Sequence, residues 1–461
     1  MAQKPMRDLS DMPGPKGLDM LGIIWRFRQD PLQGLLDLRD RYGDVLQYRY
    51  GSLHRVLISQ PEAAMRILVD NHPNYNKDSP FYHMLKWFFG DGMLSSDGEL
   101  WKRQRRLAQP AFSRRKVEAL GPMMVSVTEA VMQEWTAQMD AAEALGQLTL
   151  QIVGRALFHE DLSEQGQDIG AIAKVYQRQM LDRFRSIYPL PPVLPTPKDR
   201  LFRRLRREML LRIERLVQKR RRGRERPEDL LSSLVDARDE GQAMPEALLC
   251  QELMTFLLTG YETVASTLAW TFVLLSRHPD VRRRLEAEIH AVLGERPVGV
   301  DDLPNLPLSH RILQETMRLY PPVCVYGRRS IGPDELGGYS IPSRQIVSIS
   351  PFLLHRHPKI WNNPEGFDPD RFLQEPVRGS FVPFALGPRQ CIGGQLAMME
   401  LRLILCTVAR RWRLNLVSGA RIVPEPLISL QPKYGVPVTL EAVPGQQIVP
   451  GLGSDPKEPR R

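Results

Sequence analysis

Cys391 is the residue best placed to do chemistry in this chain. It lies in FVPFALGPRQCIGGQLA, residues 381–397, with Phe384 seven positions before it and Arg389 two before. A deprotonated thiol is a bare buried charge and needs backbone N–H donors around it. Gly387, Gly393 and Gly394 let the backbone close on the sulfur, and an aromatic ring can shield it from water. A helix opening just beyond would set its positive end near the same atom. One thiol in such a loop suits a thiolate held against a metal; the plainer alternative is an inert buried cysteine beside a turn.

Three other sets of residues could act with it. Thr259-Gly260-Tyr261-Glu262-Thr263 places an acid beside an alcohol inside a long apolar segment, and a hydroxyl linked to an acid can relay protons. Trp101 and Arg105 are four apart, so on a helix they share a face and can donate to one anion. Glu315 and Arg318 are three apart and can pair in the same way, with Arg371 in Pro369-Asp370-Arg371-Phe372 as a further partner. His355 and His357 are read as ordinary packing rather than as a metal pair.

In this order, and with the spacing F-x-x-G-x-R-x-C-x-G, these motifs resemble the cytochrome P450 family over roughly residues 13–440. The resemblance implies that Cys391 is the proximal ligand of haem b, in a loop to which Phe384, Arg389 and Gly393 contribute. It implies that Trp101, Arg105 and Arg329 hold the haem propionates, and that Glu262 and Thr263 deliver protons to bound oxygen. Gly260 would loosen the helix there. Thr259 stands where the family has a smaller residue, and either crowds the site or adds a hydroxyl. Glu315, Arg318 and Arg371 would form a structural cluster that pins the cysteine loop, with Asp370 a departure from the usual Glu.

The activity implied is insertion of one oxygen atom from O2 into a C–H bond of a hydrophobic small molecule. Fatty acid is ranked slightly ahead of terpenoid or polyketide. Nothing resembles a flavin or iron–sulfur domain, so electrons are expected from NAD(P)H through a separate acidic ferredoxin or flavodoxin with its reductase. Lys102, Arg103, Arg106, Arg114 and Arg115 could form its docking face or simply solubilise the chain. The rivals are a peroxide-driven or isomerising haem-thiolate enzyme and a non-catalytic haem sensor.

The elements that must position these residues are mostly helical. Helices are expected over 31–42, 61–70, 245–278, 280–293 and 395–412, with hairpins at Gly51-Ser52 and Gly337-Gly338. Residues 74–98 read as a loop. Phe81, Tyr82, Trp87, Phe88 and Phe89 there are weighed evenly between pocket wall and core, and the resemblance adds Val323 and Val325 to the substrate cavity. A mainly α fold with a smaller β-rich part follows, haem lying between the long distal helix and the cysteine loop. The expected division is a disordered 1–12, a single haem domain over 13–442 and a flexible tail over 443–461.

Four scattered cysteines argue against a disulfide framework or a zinc site. A net charge of +10 would suit acidic partners, but no nucleic-acid motif accompanies it. The apolar run 253–275 is interrupted by Gly260, Glu262 and several threonines, and reads as a buried helix rather than a membrane span. The chain is therefore expected to be a cytoplasmic monomer with no transmembrane anchor and no nucleic-acid partner.

Overall fold

The computed structural model describes residues 7–50, 53–160, 196–223 and 227–444, with positions 172, 175, 178 and 182 in between. Its β part begins with the antiparallel pair β1 (Val45–Tyr50) and β2 (Leu53–Ile58). The turn assigned to Gly51 and Ser52 lies outside the described residues. Strands β3 (Tyr75–Asn76), β4 (Tyr326–Ser330) and β5 (Ile346–Ile349) complete a five-stranded sheet ordered β1–β2–β5–β4–β3. Only β2 and β5 run parallel. Strands β6 (Pro424–Pro426) and β7 (Leu430–Pro432) form a separate hairpin. Gly337 and Gly338 turn a further hairpin with φ of 59° and 80°, a conformation that favours glycine.

The helices that position the site are α1 (Pro80–Phe89), α2 (Gly98–Ala108), α3 (Ala141–Phe158), α4 (Pro197–Arg222), α5 (Glu246–Arg277), α6 (Pro307–Leu319) and α7 (Gly394–Arg411). At 32 residues, α5 is roughly 48 Å long. One hydrophobic core gathers the inner faces of α3, α5, α6 and α7; a second joins α1, α2 and α4 to the N-terminal half of α5. Thr255, Thr259, Thr263, Thr267 and Thr271 each donate to the carbonyl four residues earlier, at 2.7–2.9 Å. A buried apolar helix can therefore carry hydroxyls without leaving them unpaired. No helix among the described residues is long and apolar enough to cross a membrane.

Two expectations change. Residues 74–98 are not all loop, because α1 lies within them. Pro80 suits the first helical turn, and Gly90, at φ 83°, ends the helix. Tyr82, Leu85 and Phe89 then fall on one helical face, which is buried.

Residues 7–12 are also ordered. Leu9–Asp11 forms a helical turn, Met12 is 1% exposed, and the Arg7 N–H donates to the Gly338 carbonyl at 3.2 Å. The Arg7 guanidinium lies over the Tyr339 ring. A methionine and an aromatic platform in reach decide this, despite the polar residues around them. Residues 1–6 and 445–461 and most of the Pro-rich stretch 188–197 lie outside the described residues.

Met12→Ala should therefore lower stability by about 2–4 kcal/mol in a urea titration. A mobile N-terminus would give no change.

Candidate active site

Backbone geometry closes the cysteine loop. The Cys391 N–H donates to the Phe384 carbonyl at 2.9 Å, so the chain between them is a tight hairpin-like turn. Gly387 has φ 69°, and a Cβ there would collide with the Leu68 carbonyl oxygen, so both conformation and space require glycine. Gly393 and Gly394 are under no such constraint from the chain; a Cβ at either would make ordinary contact, with Phe112 and with the Phe384 ring. The Gly393 N–H bonds to the sulfur, and α7 begins at the next residue. Burial pushes the Cys391 thiol up, while that N–H and the Arg105 guanidinium pull it back. Protein surrounds the sulfur, yet the residue's surface is open, so it faces an interior space.

Behind this loop, Glu315 and Arg318 are both fully buried and form a two-pronged pair at 2.6 and 2.8 Å. Arg371 joins Glu315 at 3.0 Å. Arg318 also donates to the carbonyls of His355, Pro364 and Gly366 at 2.6–2.9 Å. The expected three-residue cluster is thus assembled, and Asp370 faces outward to Arg284 instead.

His355 carries the cluster to the cysteine loop. Its Nε2 accepts the Val382 N–H at 2.8 Å, and its Nδ1 lies 3.2 Å from the Met317 carbonyl. A carbonyl can only accept, so Nδ1 bears the proton and the ring is neutral. Burial pushes its pKa down to about 3. It is no metal ligand, but it is more than filler.

A cationic face flanks the loop. The Arg389 guanidinium stacks on the Trp101 ring at 3.7 Å, pairs with Asp97 and donates to the Ser96 carbonyl at 2.9 Å. Trp101 therefore acts as a platform for Arg389, and Arg105, one turn on, donates to the Gln390 carbonyl.

Arg329 does not belong to this face. It points outward, to Asp78 at 2.8 Å and the Arg344 carbonyl, whereas Arg328 is buried against the Tyr82 hydroxyl at 2.8 Å. Strand β4 alternates, so a one-residue error moves a side chain to the opposite face. Among the described residues Arg328 pairs with no carboxylate; its hydrogen bonds go to Tyr82 and the Gly327 carbonyl. Of the three guanidiniums Arg105, Arg328 and Arg389, only Arg389 pairs with a carboxylate among the described residues, Asp97, and two cations without an acid suit a bound dicarboxylate.

On α5, Thr263 donates to the Thr259 carbonyl and Thr259 to that of Thr255. Glu262 is buried and takes the Ser429 hydroxyl at 2.6 Å and the Gln431 amide at 3.0 Å from the β6–β7 hairpin. Gly260 does not loosen the helix, which is unbroken; a Cβ there would make ordinary contact with Val153 of α3, so its space does not require glycine.

Of the aromatic residues, Phe88 and Phe89 are buried core, and Trp87 and Phe88 pack on Phe202 of α4. Tyr82 is buried beside Arg328, and Phe81 packs edge-on to it. Val323 and Val325 pack partly buried against separate small cores on either side of the sheet. Arg328 could have been found from the sequence, since it shares strand parity with the buried Tyr326. Ser429, Gln431 and the role of His355 carry no local signal.

Glu315→Gln should cost about 3–5 kcal/mol in urea unfolding, because it leaves the buried Arg318 and the half-buried Arg371 without their carboxylate. His355 adds a pH dependence. An unfolded histidine takes a proton near pH 6.5, so the neutral native ring stabilises fully above that pH. As pH falls from about 6.5 toward 3, this contribution is lost at about 1.4 kcal/mol per unit. Urea midpoints between pH 7 and 5 should fall less steeply in His355→Gln than in the wild type.

The family model described as Cytochrome P450 matches residues 12–436. Cyclooctatin synthase of Streptomyces melanosporofaciens is 34% identical over 93% of this chain and 95% of its own length. Cyclooctat-9-en-7-ol 5-monooxygenase of the same organism is 31% identical over 91% of this chain and 92% of its own. Pentalenene oxygenase of Streptomyces avermitilis is 30% identical, covering 94% and 98%. Matched almost end to end, with its cysteine loop, buried Glu–Arg–Arg cluster and threonine-bearing helix in place, the chain belongs to the cytochrome P450 family of monooxygenases.

Proposed function

We propose that this monooxygenase holds haem through Cys391 and inserts one oxygen atom from O2 into a C–H bond of a cyclic, hydrophobic small molecule. The observation that carries the reading is one thiol in a closed, glycine-dependent loop that takes the Gly393 N–H, with Arg105 beside it and Arg389 on the same loop. Cys391 would bind the iron, and Arg105, Arg328 and Arg389 would bind the two carboxylates. When bound, haem supplies oxygen binding and activation.

The chain's own part is to place protons and exclude water. Thr263 keeps its proton on the Thr259 carbonyl, which leaves its lone pairs free to accept one from a neighbouring donor. Glu262 is held by Ser429 and Gln431, so a proton passing from it to Thr263 needs a bridging water or a change of rotamer.

The relatives named for cyclooctatin, cyclooctat-9-en-7-ol and pentalenene favour a cyclic terpenoid over the fatty acid ranked first from sequence. Electrons would come from NAD(P)H by way of an acidic ferredoxin or flavodoxin. Of the five basic residues offered as its dock, Lys102, Arg103, Arg106 and Arg114 pair with acids of this chain. Arg115 forms no ion pair among the described residues, and is the cation best able to meet a partner's carboxylate.

Arg328→Ala should speed haem transfer to apomyoglobin by about tenfold, the loss of one charge-assisted hydrogen bond, while Arg329→Ala leaves it unchanged. The reverse pattern would contradict the assignment. Thr263→Ala should keep consuming NAD(P)H but form less product per electron; unchanged yield would remove Thr263 from proton handling.

A further inference from the structure

The N-terminal helix Leu18–Gln29 is apolar on two faces, and only one of them is covered. Its inner face packs on the sheet and on the helix Pro31–Tyr42 that follows. Ile23 is buried, and Phe27 stacks on Tyr48 of β1 with ring centroids 6.0 Å apart. Gly34 brings the second helix so near that a Cβ there would press on the Phe27 ring at 3.3 Å. Arg26 pairs with Asp37 at 3.1 Å and fixes the crossing.

The outer face is left open. Leu18, Leu21 and Trp25 are 83%, 63% and 61% exposed. Spaced three and then four residues apart, they fall within about 60° of arc on one side of the helix. A helix that served only to pack would carry polar side chains there. Single exposed apolar residues are ordinary on a protein surface, but a stripe of three large ones marks a surface that is covered in use.

Charge indicates what covers it. Lys16, just before the helix, and Arg28, at its end, are exposed and form no ion pair among the described residues. Asp19, the one acid on the helix, sits with Arg41 around the Tyr42 hydroxyl, so its charge is matched locally. An apolar stripe with an unpaired cation at either end complements an anionic lipid surface, where an indole settles at headgroup level and cations meet phosphates. Twelve residues reach about 18 Å, short of the roughly 30 Å of a bilayer core, so such a helix lies in the plane of the surface. A second copy of the chain fits less well. Three side chains offer far less than the roughly 800 Å² per partner of a stable interface, and facing copies would oppose their cations.

We propose that Leu18, Leu21 and Trp25 enter the headgroup region of an anionic bilayer, with Lys16 and Arg28 on its phosphates, so that the enzyme works from a membrane surface without spanning it. A hydrophobic substrate concentrates in that layer, and the docked enzyme meets it there. The inference goes beyond the haem reading and does not depend on it.

The test is cosedimentation of the full chain with vesicles of equal parts phosphatidylglycerol and phosphatidylcholine, and with phosphatidylcholine alone. The wild type should bind the mixed vesicles, bind phosphatidylcholine about twentyfold more weakly, and be released as salt rises. Leu18→Ser, Leu21→Ser and Trp25→Ser together should weaken binding to the mixed vesicles about a hundredfold, with the urea midpoint unchanged. Lys16→Gln with Arg28→Gln should weaken it about twentyfold, roughly fivefold per cation. Arg283→Gln with Arg378→Gln, two exposed arginines on other elements, should leave it unaltered.

Should the triple variant fail to fold, Trp25→Ser alone should weaken binding about tenfold. Binding that survives loss of the apolar residues, or that falls equally in the control, would place the contact elsewhere and overturn the proposal. A wild type that ignores both vesicles would overturn it too. So would a dimer that the triple variant splits, or binding that appears only once residues 445–461 are removed, since another copy or the chain's own tail would then be the occupant.

Discussion

A carboxylate and a guanidinium buried together, Glu315 against Arg318, are the constraint to which the proximal half of the molecule is fitted. Neither can be left unpaired away from water, so the chain around them must supply every remaining partner. Arg318 draws in the carbonyls of His355, Pro364 and Gly366, and Glu315 takes Arg371 and the Asp368 N–H. Irregular backbone between the sheet and the cysteine loop is thereby fixed without regular secondary structure. His355 passes that order to Val382, nine residues before Cys391.

The distal half is organised by α5, whose threonines satisfy their own hydroxyls on the helix backbone and so remain compatible with an apolar core. Its polar side chains reach outward to different elements: Glu262 to the β6–β7 hairpin, Gln251 and Glu252 to the segment before α2. That segment ends on Arg389, so the two halves are joined by direct hydrogen bonds and not only by apolar packing. A helix that presents hydroxyls and a loop that presents a thiol are in this way held in one register.

Much of this was legible in the residues themselves. The cysteine loop has a rigid spacing because Gly387 is sterically obligatory, and such constraints leave a readable mark. The 3.6-residue periodicity of α5, α6 and α7 likewise announces buried helices. The faces of Arg328 and Arg329 are not legible in the sequence, because two adjacent arginines on a strand differ only in parity and the face is set by pairing with distant β5. Helix α1 does not stand out in the sequence, because aromatic density in a segment bounded by Gly and Ser suggests a pocket wall; Pro80 and Gly90 in fact start and stop a helix. His355, Lys77 and Glu252 act through partners 16 to 159 residues away along the chain, and no local pattern marks them.

All of these parts converge on one sulfur, held by the Gly393 N–H near the Arg105 guanidinium, and the proposal that it binds iron as a thiolate stands or falls with its electronic state. The absorption spectrum of the reduced carbon monoxide adduct reads that state directly. The account predicts the red-shifted band of a thiolate-ligated haem in the wild-type chain, and its loss in Cys391→Ser with haem still bound. A wild-type spectrum like that of an imidazole-ligated haem, or a band that survives the substitution, would contradict it.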